Sequence, residues 1–167
     1  MSIFVVDSSI TMSAGIIKHA EAAALKADDR VLLSAAEDFL SRAYAPYSGF
    51  LVGAALLTQG GKVAGGANQE NASYPLCMCG ERVALYNAAM HYPGDPIRTV
   101  AIVVRGKHPL KTPAPPCGAC LQVLREFELR QHGDPIRLLL RADGPEVWEA
   151  SGVASLMPLS FDSSFLF

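Results

Sequence analysis

The chain has 167 residues, half of them apolar, and a formal net charge of −2. That length fits one domain with a substantial core, and the near-neutral charge argues against a nucleic-acid partner, since nucleic-acid binders carry clustered basic faces. No apolar run approaches the roughly 18 residues of a membrane span, which argues against a membrane partner too.

Residues 1–29 read as an N-terminal extension ahead of a domain at 30–167. The start, Met1-Ser2-Ile3-Phe4-Val5-Val6-Asp7, lacks the basic segment of a secretory signal; a translation start at Met12 stays open. Gly15 to Ala27 is Ala-rich and predicts a helix. Asp28-Asp29 offers a cap for a second helix from about Arg30 to Ala45, where Val31, Leu32, Ala35, Ala36, Phe39 and Leu40 recur at helical spacing. Ala45-Pro46-Tyr47-Ser48-Gly49 breaks it. Val52 to Thr58 reads as a buried strand, Gln59-Gly60-Gly61-Lys62 as a hairpin turn, and Val63 to Ala67 as the returning strand. Asn68 to Leu76 is a polar loop. A helix begins near Cys79 and runs to Met90, and Pro93-Gly94-Asp95-Pro96 ends it. Thr99 to Val104 is a core strand, Pro109 to Pro116 a loop, Gly118 to Gln131 a helix and Ile136 to Leu140 a strand. A short element around Glu146 to Trp148 precedes the tail. Strands alternating with helices imply an α/β layered sheet.

Three cysteines and a glutamate carry the chemistry: Cys79-Gly80-Glu81, and downstream Pro116-Cys117-Gly118-Ala119-Cys120. Three thiolates hold Zn²⁺ tetrahedrally and leave the fourth position for water, the mark of a catalytic site. The tight Cys117/Cys120 pair and the lack of a signal favour metal thiolates in a reducing cytoplasm over disulfides. Cys79 and Cys117 each fall at a helix start, where free N–H groups and the dipole favour thiolate. Three thiolates on Zn²⁺ leave a net charge of −1 that weakens the metal's pull on water. Arg82 is placed to offset this by donating to the sulfurs, or is a solvated helix charge. Glu81 is placed to carry protons for the water. Cys77 reads as a small buried residue, with a spare metal ligand as the alternative. His19, His91, His108 and His132 read as surface residues.

These segments resemble the small, homotetrameric, zinc-dependent cytidine deaminases, and coverage runs from about Val31 to Ser164. Ala45 to Ala55 is similar to that family's first segment, and Asn68-Gln69-Glu70-Asn71-Ala72-Ser73-Tyr74-Pro75 to its ribose loop. Cys79-Gly80-Glu81-Arg82 and Pro116 to Cys120 are similar to its zinc segments, followed by Gln122 to Phe127; the Pro158-to-Phe161 tail also fits. The resemblance implies a three-layer α/β/α sandwich on a five-stranded mixed sheet. It implies a zinc cofactor on Cys79, Cys117 and Cys120, and Glu81 as the catalytic residue. Asn68 and Glu70 would bind the ribose 3′-hydroxyl, Phe50 would pack on the pyrimidine, and the Gly80 N–H would meet the 2-oxo group. Ala72, Tyr74 and Phe161 would reach a neighbouring subunit's pocket in a homotetramer. The implied reaction is hydrolytic deamination of cytidine and 2′-deoxycytidine in pyrimidine salvage.

The chain departs from this pattern at Gly80, where alanine is usual, and at Cys77-Met78. The missing methyl suggests a looser site that tolerates modified or N4-substituted cytidines. Competing readings are a deaminase of a polynucleotide, a free base or a cytosine-containing antibiotic, and a structural zinc module with Cys77 as fourth ligand. Asn68 and Glu70 argue for a nucleoside, and the charge argues against a polynucleotide.

Overall fold

A computed structural model describes residues 15–166. Its elements are β1 (Ile16–His19), α1 (Ala27–Phe39), β2 (Leu51–Thr58), β3 (Val63–Ala67), α2 (Gly80–His91), β4 (Ile97–Arg105), α3 (Gly118–Arg130), β5 (Arg137–Arg141) and β6 (Val147–Ala150). The strands form one six-stranded sheet in the order β1-β6-β5-β4-β2-β3. β4 and β5 are parallel, a pairing that needs a crossover connection and has one in α3, and the other neighbours are antiparallel.

The central strands are apolar along their length because both faces are covered. Val100, Ile102 and Val104 of β4 join Leu121 and Leu124 of α3 and Leu85 of α2 in one core. Ala101 and Val103, pointing the other way, join Leu32, Leu33 and Ala36 of α1 in a second. Leu139 of β5 faces α1, while Leu138 and Leu140 face the other core. The result is three layers, with α1 below the sheet and α2 and α3 above it. Two glycines let the helices approach closely. A Cβ at Gly53 would overlap the Ala36 carbonyl of α1, and one at Gly66 would overlap the Ala84 amide and crowd the Gly80 carbonyl of α2. The start of α2, which carries the site, is therefore seated directly on β3.

The sheet has one strand more than expected. Ile16–His19 is not helical; it pairs antiparallel with β6 in the register Ile16↔Ala150 to His19↔Val147. The edge of β6 offers these residues hydrogen-bonding partners that a local helix cannot match, so tertiary context overrides Ala-rich propensity. Only Ala22–Ala24 forms a single 3-10 turn, and Leu25 closes the segment by entering the core under α1. His19 Nε2 meets Glu149 Oε2 at 2.8 Å, and Lys18 Nζ lies 4.6 Å from the centre of the Trp148 ring. Met12 lies outside the described residues.

α1 also starts earlier than expected. Lys26 is the N-cap, and Asp28 and Asp29 occupy the first turn, where the helix dipole favours acids. Asp29 is buried and ion-paired with Arg137 of β5, which in turn reaches Glu149 at 3.0 Å. The helix tightens to a 3-10 turn over Leu40–Arg42 and cannot continue into Ala45, since the residue before Pro46 is driven to extended geometry. The element around Glu146 is strand β6. The remaining boundaries lie within two residues of expectation.

Candidate active site

Two helix starts converge above the sheet. Cys79 is the N-cap of α2 and Cys117 the N-cap of α3, both with extended backbone, and Cys120 lies in the first turn of α3. The Cys79 and Cys117 sulfurs are 3.9 Å apart and those of Cys117 and Cys120 3.5 Å apart. All three lie within 4.8 Å of one another, a possible metal-binding site. Arg82 Nη2 donates to the Cys79 sulfur at 3.7 Å and to the Cys77 carbonyl at 3.2 Å, so it is a sulfur donor and not a solvated charge. A hydrogen bond from the Cys120 thiol, with help from Arg82, lowers the Cys79 thiol to about 5. The same shared proton, with burial, pushes the Cys120 thiol up.

Cys77 stands apart from this cluster. Its sulfur accepts from the Asn71 N–H at 3.2 Å and faces the Asn71 carbonyl at 3.5 Å. It is half-buried rather than fully buried. The four histidines also lie outside the cluster.

Glu81, in the first turn of α2, is only 5% exposed. Burial pushes its carboxyl up to about 7; the nearby Cys79 charge acts the same way, against its own backbone N–H. Its buried Oε2 has no hydrogen-bond partner. A buried, unpaired carboxylate oxygen is costly and calls for a water or ligand. Three convergent soft sulfurs beside such an oxygen fit Zn²⁺, which prefers thiolate ligands. A carboxyl near neutrality is also poised to take and return a proton at working pH.

Above these groups lies a cavity of about 370 Å³, lined by Phe50, Asn68, Glu70, Cys79, Glu81 and Cys117 among others. Asn68 is buried; its Oδ1 accepts from the Val52 N–H and its Nδ2 donates to the Phe50 carbonyl, both at 2.8 Å. Glu70 accepts from the Tyr47 N–H at 2.9 Å, from the Ser48 N–H at 3.3 Å and from the Ser48 hydroxyl, and this last bond holds its carboxyl below the usual range. Phe50 packs on the edge of the core. Gly80 is buried at the start of α2, and a Cβ there would come within 2.8 Å of the Val52 carbonyl. Ala72, Tyr74 and Phe161 do not line this cavity, and the two aromatic side chains are 67% and 60% exposed. Gln122 Nε2 donates to the Phe161 carbonyl at 2.8 Å, holding the tail on α3.

Sequence reasoning did not assign several wall residues to the site, Ser48, Val104 and Pro115 among them. Val104 stands near the end of β4, and ligands in open α/β sheets gather beyond strand C-termini, which is a usable signal. A second cavity, of about 390 Å³, opens between Tyr92, Phe127 and His132 at the other ends of α2 and α3. It contains none of the three clustered thiols.

The raised Glu81 pKa sets a pH dependence for the metal-free protein. The folded chain holds this proton up to about 7, against 4.5 ordinarily. Its contribution to stability is therefore full below 4.5 and is lost as pH rises through about 7. Urea unfolding of the metal-free wild type should show a decline in stability over this window that Glu81→Gln lacks. Parallel pH profiles for the two proteins would contradict the assignment.

The profile "Cytidine and deoxycytidylate deaminase zinc-binding region" matches residues 26–132. The cytidine deaminase of Halalkalibacterium halodurans is 46% identical over 100 residues, covering 60% of this chain and 72% of that protein. That of Sporosarcina psychrophila is 38% identical over 103 residues, covering 60% and 70%. Among solved structures, the cytidine deaminase of Burkholderia pseudomallei superposes with a TM-score of 0.69 at 39% identity, covering 82% of this chain and 100% of that one. The Mycobacterium tuberculosis cytidine deaminase gives 0.64 at 30% identity, covering 82% and 99%. With the thiol cluster and Glu81 inside the matched segment, the chain belongs to the zinc-binding cytidine and deoxycytidylate deaminase family.

Proposed function

We propose that this protein hydrolytically deaminates cytidine and 2′-deoxycytidine to uridine and 2′-deoxyuridine, releasing ammonia, as a step of pyrimidine salvage. The observation that carries this reading is the buried, unpartnered Glu81 oxygen beside three convergent thiols, next to a largely apolar cavity that carries Asn68 and Glu70 on its wall. Cys79, Cys117 and Cys120 hold the metal. Zinc, when bound there, supplies the Lewis acidity that makes water a nucleophile near neutral pH. Glu81 takes one proton of the attacking water and gives it to ring N3, then takes the second from the new C4 hydroxyl and gives it to the C4 amine, which leaves as ammonia while C4 becomes a carbonyl. Arg82 offsets part of the sulfur charge. Phe50 holds the pyrimidine face, the Gly80 N–H meets the 2-oxo group, and Asn68 and Glu70 hold the ribose hydroxyl. These remote contacts orient the ring, so binding serves the chemical step.

Ala72, Tyr74 and Phe161 serve a neighbouring subunit's pocket in a homotetramer; their exposure outside this chain's own cavity supports that role. Residues 30–167 belong to the catalytic domain together with β1 and the first turn of α1, which join its sheet and helix. The cytoplasm is the compartment that suits three free metal-binding thiols.

The site also tolerates substituents on the exocyclic nitrogen. Support comes from Gly80: with no side chain there, α2 packs directly on β2 beside the pocket. An alanine methyl, 2.8 Å from the Val52 carbonyl and 3.3 Å from the Asn68 amide, would wedge these elements apart and fix their spacing.

With zinc-loaded protein, the cytosine absorbance band of cytidine and deoxycytidine should be lost over time. Glu81→Gln should keep its zinc and lose roughly 10²–10⁴-fold in rate. Unchanged turnover in that variant would overturn the assignment of Glu81. For Gly80→Ala, turnover of an N4-substituted cytidine should fall relative to cytidine, and an unchanged ratio would refute the tolerance.

A further inference from the structure

The segment between α1 and β2 contains one hydroxyl bonded to two parts of the pocket. Ser48 Oγ accepts from the Phe50 N–H at 2.9 Å. That amide occupies a lone pair and leaves the hydroxyl hydrogen to be given elsewhere; it goes to Glu70 Oε1. Glu70 Oε2 meanwhile takes both the Tyr47 and Ser48 amides. A carboxylate oxygen accepts about two hydrogen bonds, so Oε2 is filled and Oε1 keeps one open position. Gly49, with φ at +65°, makes the turn that lets Ser48 face Glu70 and Phe50 together. Lys107 lies across Gly49, where no Cβ keeps it away. From Phe50 the chain of bonds continues through its carbonyl to Asn68, whose Oδ1 holds Val52.

We propose that Ser48 is a positioning residue that locks Glu70 and Phe50 in one geometry and directs the open acceptor position of Glu70 Oε1 at a ribose hydroxyl. This rests on the reading of Glu70 as a ribose ligand given above. Without the Ser48 hydroxyl, Oε1 loses its fixed donor, the carboxylate is free to rotate, and the Phe50 amide loses its acceptor. The bonds of Ser48 run to Glu70 and Phe50 and not to the thiol cluster or Glu81, so its loss acts on substrate capture and on ribose discrimination more than on the chemical step.

The test is kcat and KM for cytidine and 3′-deoxycytidine in wild type, Ser48→Ala and Ser48→Thr, with zinc content and circular dichroism recorded for each. Wild type should prefer cytidine. Ser48→Ala should raise KM for cytidine about tenfold, the size of one hydrogen bond, with kcat changing less. It should leave 3′-deoxycytidine nearly unaffected, so the preference shrinks. Ser48→Thr, which keeps the hydroxyl, should recover wild-type discrimination. A Ser48→Ala protein with undiminished preference would overturn the proposal while leaving Glu70 as the ribose ligand. Equal handling of the two nucleosides by wild type would instead overturn the reading of Glu70, and the proposal with it. Loss of zinc or of folded structure in Ser48→Ala would assign Ser48 a purely structural role and also overturn it.

Discussion

Everything at this site depends on two helix starts being held against one another over the sheet. An isolated helix N-terminus presents free N–H groups and partial positive charge, which favour an anion but do not select one. Here α2 brings Cys79 and α3 brings Cys117 and Cys120, so the sulfurs share one point in space. Their negative charge is a cost that the helix ends, Arg82 and a bound cation together offset. The crowding of the sulfurs favours thiolate at Cys79, helped by Arg82, and a proton on the more buried Cys120. Metal binding must displace that proton, which makes affinity rise with pH.

The sheet supplies the rigidity this arrangement needs. Both helices pack on the core that includes Val100 and Ile102 of β4, and Gly66 lets the start of α2 rest on β3 without an intervening side chain. Glu81 is buried as a result of the same seating, and its burial raises its pKa. The fold thus tunes the carboxyl mainly through desolvation, with its own backbone N–H and the Cys120 thiol acting the other way. The opposite wall depends on hydrogen bonds instead. Asn68 ties the start of β2 to the end of β3 through the Val52 N–H and the Phe50 carbonyl, and Glu70 is pinned by the Tyr47–Ser48 turn.

The parts of this account legible in the sequence were local or carried by spacing. Cys79-Gly80-Glu81 and the Cys117/Cys120 pair placed the metal site, and apolar runs such as Val100 to Val104 placed the central strands. Asn68, Glu70 and Phe50 were grouped only by the family resemblance, and they line one cavity. The illegible parts depended on distant partners. Ile16–His19 is a strand because β6 lies alongside it, and nothing within the Ala-rich segment announces that edge. Asp29 looked like a helix cap but serves Arg137 across the sheet. The unpartnered Glu81 oxygen, the Arg82 bond to sulfur and the double use of the Ser48 hydroxyl are facts of geometry that residue types permit but do not specify.

The most direct test of the central claim is X-ray absorption spectroscopy at the zinc edge of the loaded protein. Three sulfur neighbours at about 2.3 Å and one lighter oxygen neighbour are the result predicted for three thiolates with an open, water-bearing position. A four-sulfur shell would bring in Cys77, close the site and contradict the account.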